Sequence, residues 1–245
     1  MKLLDCHGKH YREVNTIVEV WWNSGERKIV LERVNGQRYI GRALSGSGYL
    51  EIRGIPGDDL GMFMDGATVR VRGNVQDGSG NTMNSGKIIV EGDARDITGL
   101  SMRGGNIWVK GNIGYRAGIH MKSYQDDYPV IVVGGTTGDF LGEYMAGGLI
   151  LVLGLGLDSD VSPVGKFIAS GMHGGTIFIR GKLTEKQVGK GIGMEKVSEE
   201  QLAQINYYLQ EYSQDLEISL PGFSSIDWVQ VFPLTTRPYG QLYAY

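Results

Sequence analysis

Apolar and glycine positions between Ile55 and Gly111 recur every nineteen residues, so this stretch reads as three aligned lines: IPGDDLGMFMDGATVRVRG, NVQDGSGNTMNSGKIIVEG and DARDITGLSMRGGNIWVKG. Each line holds a glycine (Gly61, Gly80, Gly99), a methionine three residues on (Met64, Met83, Met102), an alternating β-branched pair (Val69/Val71, Ile88/Val90, Ile107/Val109) and a closing glycine (Gly73, Gly92, Gly111). A fixed period of this length marks a repeat architecture. Alternation at period two puts both members of each pair on one face of a strand.

The register extends in both directions. Upstream it finds Gly41, Leu44, Leu50, Ile52 and Gly54; downstream it finds Gly118, Met121, Val130, Val132 and Gly134, then Gly142, Met145, Ile150, Val152 and Gly154, and finally Gly165, Ile168, Ile177, Ile179 and Gly181. The units that begin at Gly118 and Gly165 carry extra residues, at KSYQDDYP and IASGMHGG, which are expected to bulge as loops. A unit this short with one clear strand cannot bury its own apolar face, so neighbouring units must cover it. Stacked at the strand spacing, seven units make a rod of about 34 Å. A propeller blade needs roughly forty residues and four strands, and a hexapeptide coil needs a period divisible by six. The expected fold is therefore all-β: a right-handed, single-stranded parallel β-helix of about seven turns over residues 34–181.

Stacking turns the equivalent positions into columns. Leu44, Met64, Met83, Met102, Met121, Met145 and Ile168 form one that is apolar throughout and must point inward. Methionine fills irregular corner space well, and a column that also accepts Leu and Ile is no methionine-rich metal or cofactor box. The strand residues give two further inward columns. The glycines mark corners where the chain turns with positive φ or where coils approach closely; the Lys-Ser/Thr ending of a P-loop and the strand-to-helix setting of a dinucleotide loop are both missing.

The outward column Arg53, Arg72, Glu91, Lys110 changes to Val133 and Leu153 before reverting to Arg180, and LILVLGLGL (Leu149 to Leu157) is apolar on both faces. A strand apolar on both faces is covered on both, by the chain's own C-terminal segment or by another protein. Val133, Leu151, Leu153 and Leu155, with His120 and His173 beside the long loops, are the candidate partner interface. A polar column, Arg38, Asp58, Asp77, Asp96, Tyr115, Asp139, Ser162, precedes the first glycine of each unit. Aspartate before glycine commonly accepts hydrogen bonds from backbone N–H groups of its own turn; a calcium site or a carboxylate set that cleaves an acidic polymer is the sharper alternative.

The ends differ from the middle. Residues 1–33 hold two alternating runs, TIVEVWW and KIVLERV, separated by NSGER, which predicts a hairpin of strands capping the coil. Within 182–245, Ser198-Glu-Glu-Gln201 is a capping box, and Leu202, Ile205, Leu209 and Tyr212 follow at helical spacing. That helix is expected to lie on the rod, and the aromatic tail FPLTTRPYGQLYAY to dock on a surface.

Composition sharpens this picture in three ways. The 245 residues include 39 glycines and only 6 prolines with no collagen-like period, so glycine marks geometry. A net charge of −3, with both signs interspersed, gives no footprint for nucleic acid or for a membrane surface. A single cysteine, Cys6, excludes an internal disulfide framework and an iron–sulfur site built by this chain alone. The start, MKLLDCHGKHYREVN, lacks a signal-peptide apolar core, so the cytoplasm is the expected location. Cys6, His7 and His10 form the one compact set of metal-capable residues, and a fourth ligand is missing. His120 and His173 lack the Ser or Cys spacing of a triad.

The phased repeat, with Arg38-x-x-Gly41 in NGQRYIGRALSGSGYLEIRG and Gly142-Glu-Tyr-Met-x-Gly-Gly148 in GTTGDFLGEYMAGGLILVLG, resembles the GXGXG domain that ends the large subunit of glutamate synthase. A similar β-helix occurs in one of the subunits of formylmethanofuran dehydrogenase. The resemblance covers about residues 34–181. It implies a scaffold with no catalytic residue, cofactor or metal of its own, working beside an amidotransferase that hydrolyses glutamine and a flavin-bearing synthase that aminates and reduces 2-oxoglutarate; FMN and iron–sulfur groups would belong to those partner subunits. The chain has neither an N-terminal nucleophilic cysteine directly after Met1 nor a cluster-binding cysteine set. It is thus similar to the split arrangement, in which the domain is a separate polypeptide; self-association is open.

Overall fold

In the computed structural model, which describes residues 1–124, 127–158 and 160–236, the chain runs β1 (Lys2–Asp5), α1 (Tyr11–Asn23), β2 (Lys28–Asn35), β3 (Tyr49–Ile55), β4 (Asp65–Arg72), β5 (Ser85–Val90), β6 (Asn106–Val109), β7 (Val130–Val133), β8 (Ala146–Val152), β9 (Gly174–Arg180), β10 (Ile192–Lys196), α2 (Glu199–Leu216) and β11 (Trp228–Pro233). Strands β1 to β9 pair in sequence order, each parallel to the next. Beyond β9 the order becomes β9-β11-β10, with both added pairings antiparallel. The result is a parallel β-solenoid of about six turns. Strands β3 to β9 delimit complete circuits, and the first of the seven expected repeats closes only with the help of β2 from the N-terminal segment.

The inward columns follow the ladder register: Leu50, Val69, Ile88, Ile107, Ile131, Ile150 and Ile177 are successive partners, as are Ile52, Val71, Val90, Val109, Val133, Val152 and Ile179. The expectation slips by one residue at β7, where Val130-Ile131-Val132-Val133 offers no polar residue to set the phase. A one-residue slip exchanges the two faces of a strand, so Val133 lies inside the coil and Val130 and Val132 lie outside. The last unit is also phased differently from expectation. His173 N bonds to Met145 O and Ala169 N to Leu141 O, as Ala146 N bonds to Met121 O and Gly142 N to Ala117 O. Met172 therefore continues the methionine column, and Ala169, at φ 57°, takes the place of the corner glycine. The IASGMHGG segment is a regular corner; the extra residues precede it, around 154–163. The KSYQDDYP insertion includes residues 125 and 126, outside the described set.

Of the two strands expected in the N-terminal cap, KIVLERV forms β2, but TIVEVWW is a helix. Val14, Val18 and Trp22, one face at a spacing of four, are its buried residues, and His10 accepts a hydrogen bond from Arg12 N as its N-cap. The local alternation in TIVEVWW masks this helical period. Helix α1 joins β1 to β2 as a parallel crossover, lies on the end of the coil, and donates from Trp22 Nε1 to Ser45 O at 2.8 Å.

At the other end, α2 begins at the expected capping box, with Gln201 N donating to Ser198 Oγ and Ser198 N to Gln201 Oε1. It buries Ile205, Leu209, Tyr212 and Leu216 against a second core made by the outer face of the sheet: Ile89, Trp108, Val132, Leu151 and Phe178. Strand β11 covers the open edge of β9. Residues 237–245, most of the expected docking tail, lie outside the described residues. No helix among the described residues is long and apolar enough to cross a membrane.

Candidate functional site

The proposed interface residues divide into two groups. Val133 is in the interior and fully buried. Leu151 and Leu153 are fully buried in the cluster that includes the apolar face of α2 and Trp228, and Leu155 is packed against the same cluster. The apolar outer face is thus occupied by the chain's own helix, one of the two alternatives open in the sequence. A salt-linked seam fastens the end of that helix. Asp215 accepts from Trp108 Nε1 at 2.8 Å and from Lys87 Nζ, while Arg70 donates to Asp215 O at 2.8 Å and pairs with Glu91. Tyr212 donates to Val109 O at 3.1 Å, and burial pushes its phenol well above the ordinary range.

The aspartate column is structural at Asp77, Asp96 and Asp139, with one difference from expectation: these side chains reach the next circuit, not their own turn. Asp77 Oδ1 accepts from Asp96 N at 3.2 Å, Asp96 Oδ1 from Tyr115 N at 2.9 Å, and Asp139 Oδ1 from Lys166 N at 2.8 Å. A parallel ladder of Asn74, Asp93 and Asn112 does the same to Asp93 N, Asn112 N and Thr136 N. Sequence reasoning missed this second ladder, although the side chains recur at the same period. The ladders also explain several glycines. A Cβ at Gly114 would stand 2.1 Å from Asp96 Oδ1, and one at Gly111 would stand 2.1 Å from Asp93 Oδ1.

These carboxylates are committed to holding coil to coil. Asp96→Asn keeps the accepting oxygen, so urea unfolding should show a loss of no more than about 1 kcal/mol; Asp96→Ala, which orphans a backbone donor, should lose about 1–3 kcal/mol.

The N-terminal set does not assemble into a metal centre, and no group of three or more such ligands occurs among the described residues. Cys6 is buried, with Sγ 3.9 Å from Leu4 O, and His10 is used as a helix cap. Desolvation raises the Cys6 thiol to about 11, with Lys9 opposing. Iodoacetamide at pH 8 should therefore modify the native protein far more slowly than the urea-unfolded chain. Because the folded value lies above the unfolded one, the unfolded state gives up its proton first; the Cys6 contribution to stability is full below pH 9 and falls as pH rises through about 11.

The remaining candidates sit on the coil corners. Each circuit turns through five residues of which the first, third and fifth have positive φ. Examples are Ile97, Gly99 and Ser101 (51°, 73°, 52°), Arg116, Gly118 and His120 (57°, 68°, 55°), and Phe140, Gly142 and Tyr144 (62°, 66°, 53°). The middle position is walled in by the core; the outer two face away from it and, except at Gly78 and Gly171, carry non-glycine residues at a cost of about 1 kcal/mol or more each. His120, exposed, stacks on Tyr144 at 5.3 Å with an interplanar angle of 9°. Phe140 stacks on Phe167 at 5.3 Å, and Arg116 lies 4.8 Å over Phe140 while donating to Glu143 Oε2 at 2.9 Å. His173 is half-buried, with Nδ1 3.2 Å from Gly171 O. Neither histidine is paired with a carboxylate among the described residues.

A family model described as the GXGXG motif matches residues 28–222. The chain belongs to the GXGXG family. It is 45% identical over 249 residues to an uncharacterized protein of Methanocaldococcus jannaschii, an alignment that covers 98% of this chain and 95% of that one. The alternate-glycine spacing of the GXGXG name is the spacing of the three left-handed corner positions. Gly78-Ser-Gly80-Asn-Thr82 retains two of the glycines, and Phe140-Leu-Gly142-Glu-Tyr144 retains only the middle one.

Proposed function

We propose that this GXGXG chain is a non-catalytic scaffold subunit of a glutamate-synthase-like oxidoreductase, the assembly that converts glutamine and 2-oxoglutarate to glutamate. Its partners in this reading are an amidotransferase subunit and a flavin-bearing synthase subunit, and FMN and iron–sulfur groups belong to the partners. The observation that carries the reading is how the repeated ionisable residues are used. The aspartate and asparagine ladders accept backbone N–H groups of neighbouring circuits, and the coil interior is filled by buried methionine and aliphatic side chains. Both speak for a rigid rod that presents surfaces to other proteins.

A tagged chain recovered from native cell extract should bring down flavin- and iron–sulfur-bearing subunits that together form glutamate from glutamine. Recovery of a formylmethanofuran dehydrogenase would assign the scaffold to that enzyme. A partnerless protein that cleaves an acidic polysaccharide, and loses that activity in an Asp77→Asn, Asp96→Asn double variant, would contradict the scaffold reading.

A further inference from the structure

On the reading of this chain as a scaffold subunit, we infer that the corner face of the later circuits, formed by Arg116, His120, Phe140, Tyr144 and Phe167, is the docking surface for a partner subunit that presents carboxylates beside apolar side chains. Three observations converge on it. The first is backbone strain. Arg116, Phe140 and Phe167 occupy equivalent left-handed corner positions at φ 57°, 62° and 58°, and His120 and Tyr144 occupy the companion position at 55° and 53°. Glycine or asparagine would be easier there; the equivalent positions in the third repeat are Gly78 and Thr82.

The second is exposure. Phe167 is 50% and Tyr144 38% exposed, although each is already stacked on a neighbour that holds its ring in place. Pre-ordered aromatic and arginine side chains are the usual anchors of protein interfaces, since little rotamer freedom remains to be lost on binding. The packing beneath is specific as well: a Cβ at Gly171 would meet the Tyr144 ring at 2.5 Å, so the glycine lets that ring lie over the next circuit.

The third is charge, and it selects the occupant. Arg116 and Lys166 are exposed. The acidic groups of the face are already engaged: Asp139 accepts from Lys166 N, and Glu143, with a side chain 12% exposed, pairs with Arg116. Two copies of such a face would oppose like charges. The chain's residues 237–245 hold an arginine and no Asp or Glu. A partner surface bearing carboxylates around an apolar centre complements it.

The test uses the full chain with purified amidotransferase and flavin-bearing subunits and reads Kd by interferometry. Phe140→Asn with Phe167→Asn should weaken binding about 30-fold or more, the effect of losing an interface anchor. Phe167→Asn alone is the milder variant should the double one unfold, and about 5-fold is expected of it. Melting temperatures should stay near wild type, because asparagine accepts positive φ. A control on the opposite side, Tyr207→Ser, should bind within about 2-fold of wild type, and wild-type binding should weaken with added salt. Folded corner variants that bind within about 3-fold of wild type overturn this assignment and leave the scaffold reading standing. A wild-type chain that binds neither subunit overturns both. Corner variants that only dissociate a self-dimer, or only release a single-stranded RNA oligomer, also overturn it.

Discussion

Replacing Gly86 by alanine is expected to prevent the coil from folding. Gly86 has φ +97°, and a Cβ there would stand 2.3 Å from Ala67 O and 3.0 Å from Ala67 N. Both atoms are backbone of the preceding circuit, so no side-chain rotation relieves the contact. Relief requires parting β4 from β5, and the ladder pairing Val69 with Ile88 and Val71 with Val90 would go with it. The positive φ alone costs an L-residue about 1–2 kcal/mol; with the clash the loss should exceed about 4 kcal/mol, a large part of the stability of an ordinary domain. Circular dichroism during heating checks this. A variant that is soluble and melts within a few degrees of wild type would contradict the close stacking on which the fold rests.

The second large effect is expected from Trp108→Ala. Trp108 is fully buried between the sheet and α2, touches the rings of Tyr208 and Tyr212 edge-on, and donates to Asp215 at 2.8 Å. Truncating a buried Trp typically costs about 3–5 kcal/mol. The loss should fall on the attachment of α2, because the inner core of the coil does not include Trp108. Limited proteolysis should cut within Glu199–Leu216 under conditions where the wild type resists, while the strand signal persists. Trp108→Phe, which keeps most of the area and loses the hydrogen bond, should lie between. Unchanged protection of α2 in the alanine variant would mean that the helix is held by other contacts.

Legibility of the sequence follows the strength of its periodic signal. Ile55 to Gly111 alternates polar and apolar residues cleanly, and its columns match the observed register. At β7 four successive apolar residues carry no phase, because that strand is buried on both faces, and the pattern points to Val130 and Val132 as inward instead of Ile131 and Val133. In the last circuit Ala169 holds a left-handed corner that other circuits give to glycine, so a search for glycine settles on Gly165. Helix α1 is hidden by β-branched residues that also satisfy a spacing of four. Its burial decides between the two periods, and burial is a tertiary fact. The corner face is legible least of all. In the sequence His120 stands out as an interface candidate only because it lies beside a long loop, whereas the ring stack beneath it joins residues of different circuits, a juxtaposition that appears only once the coil is built.

The measurement closest to the central claim is reconstitution from purified parts. Amidotransferase and flavin-bearing subunits are mixed with and without this chain, and glutamine-dependent formation of glutamate is followed alongside the mass of the complex. The scaffold account predicts one stable assembly containing all three polypeptides, glutamate formation that requires this chain, and no turnover by the chain alone. Full activity and the same assembly in its absence, or a catalytic activity of the isolated chain, would contradict it.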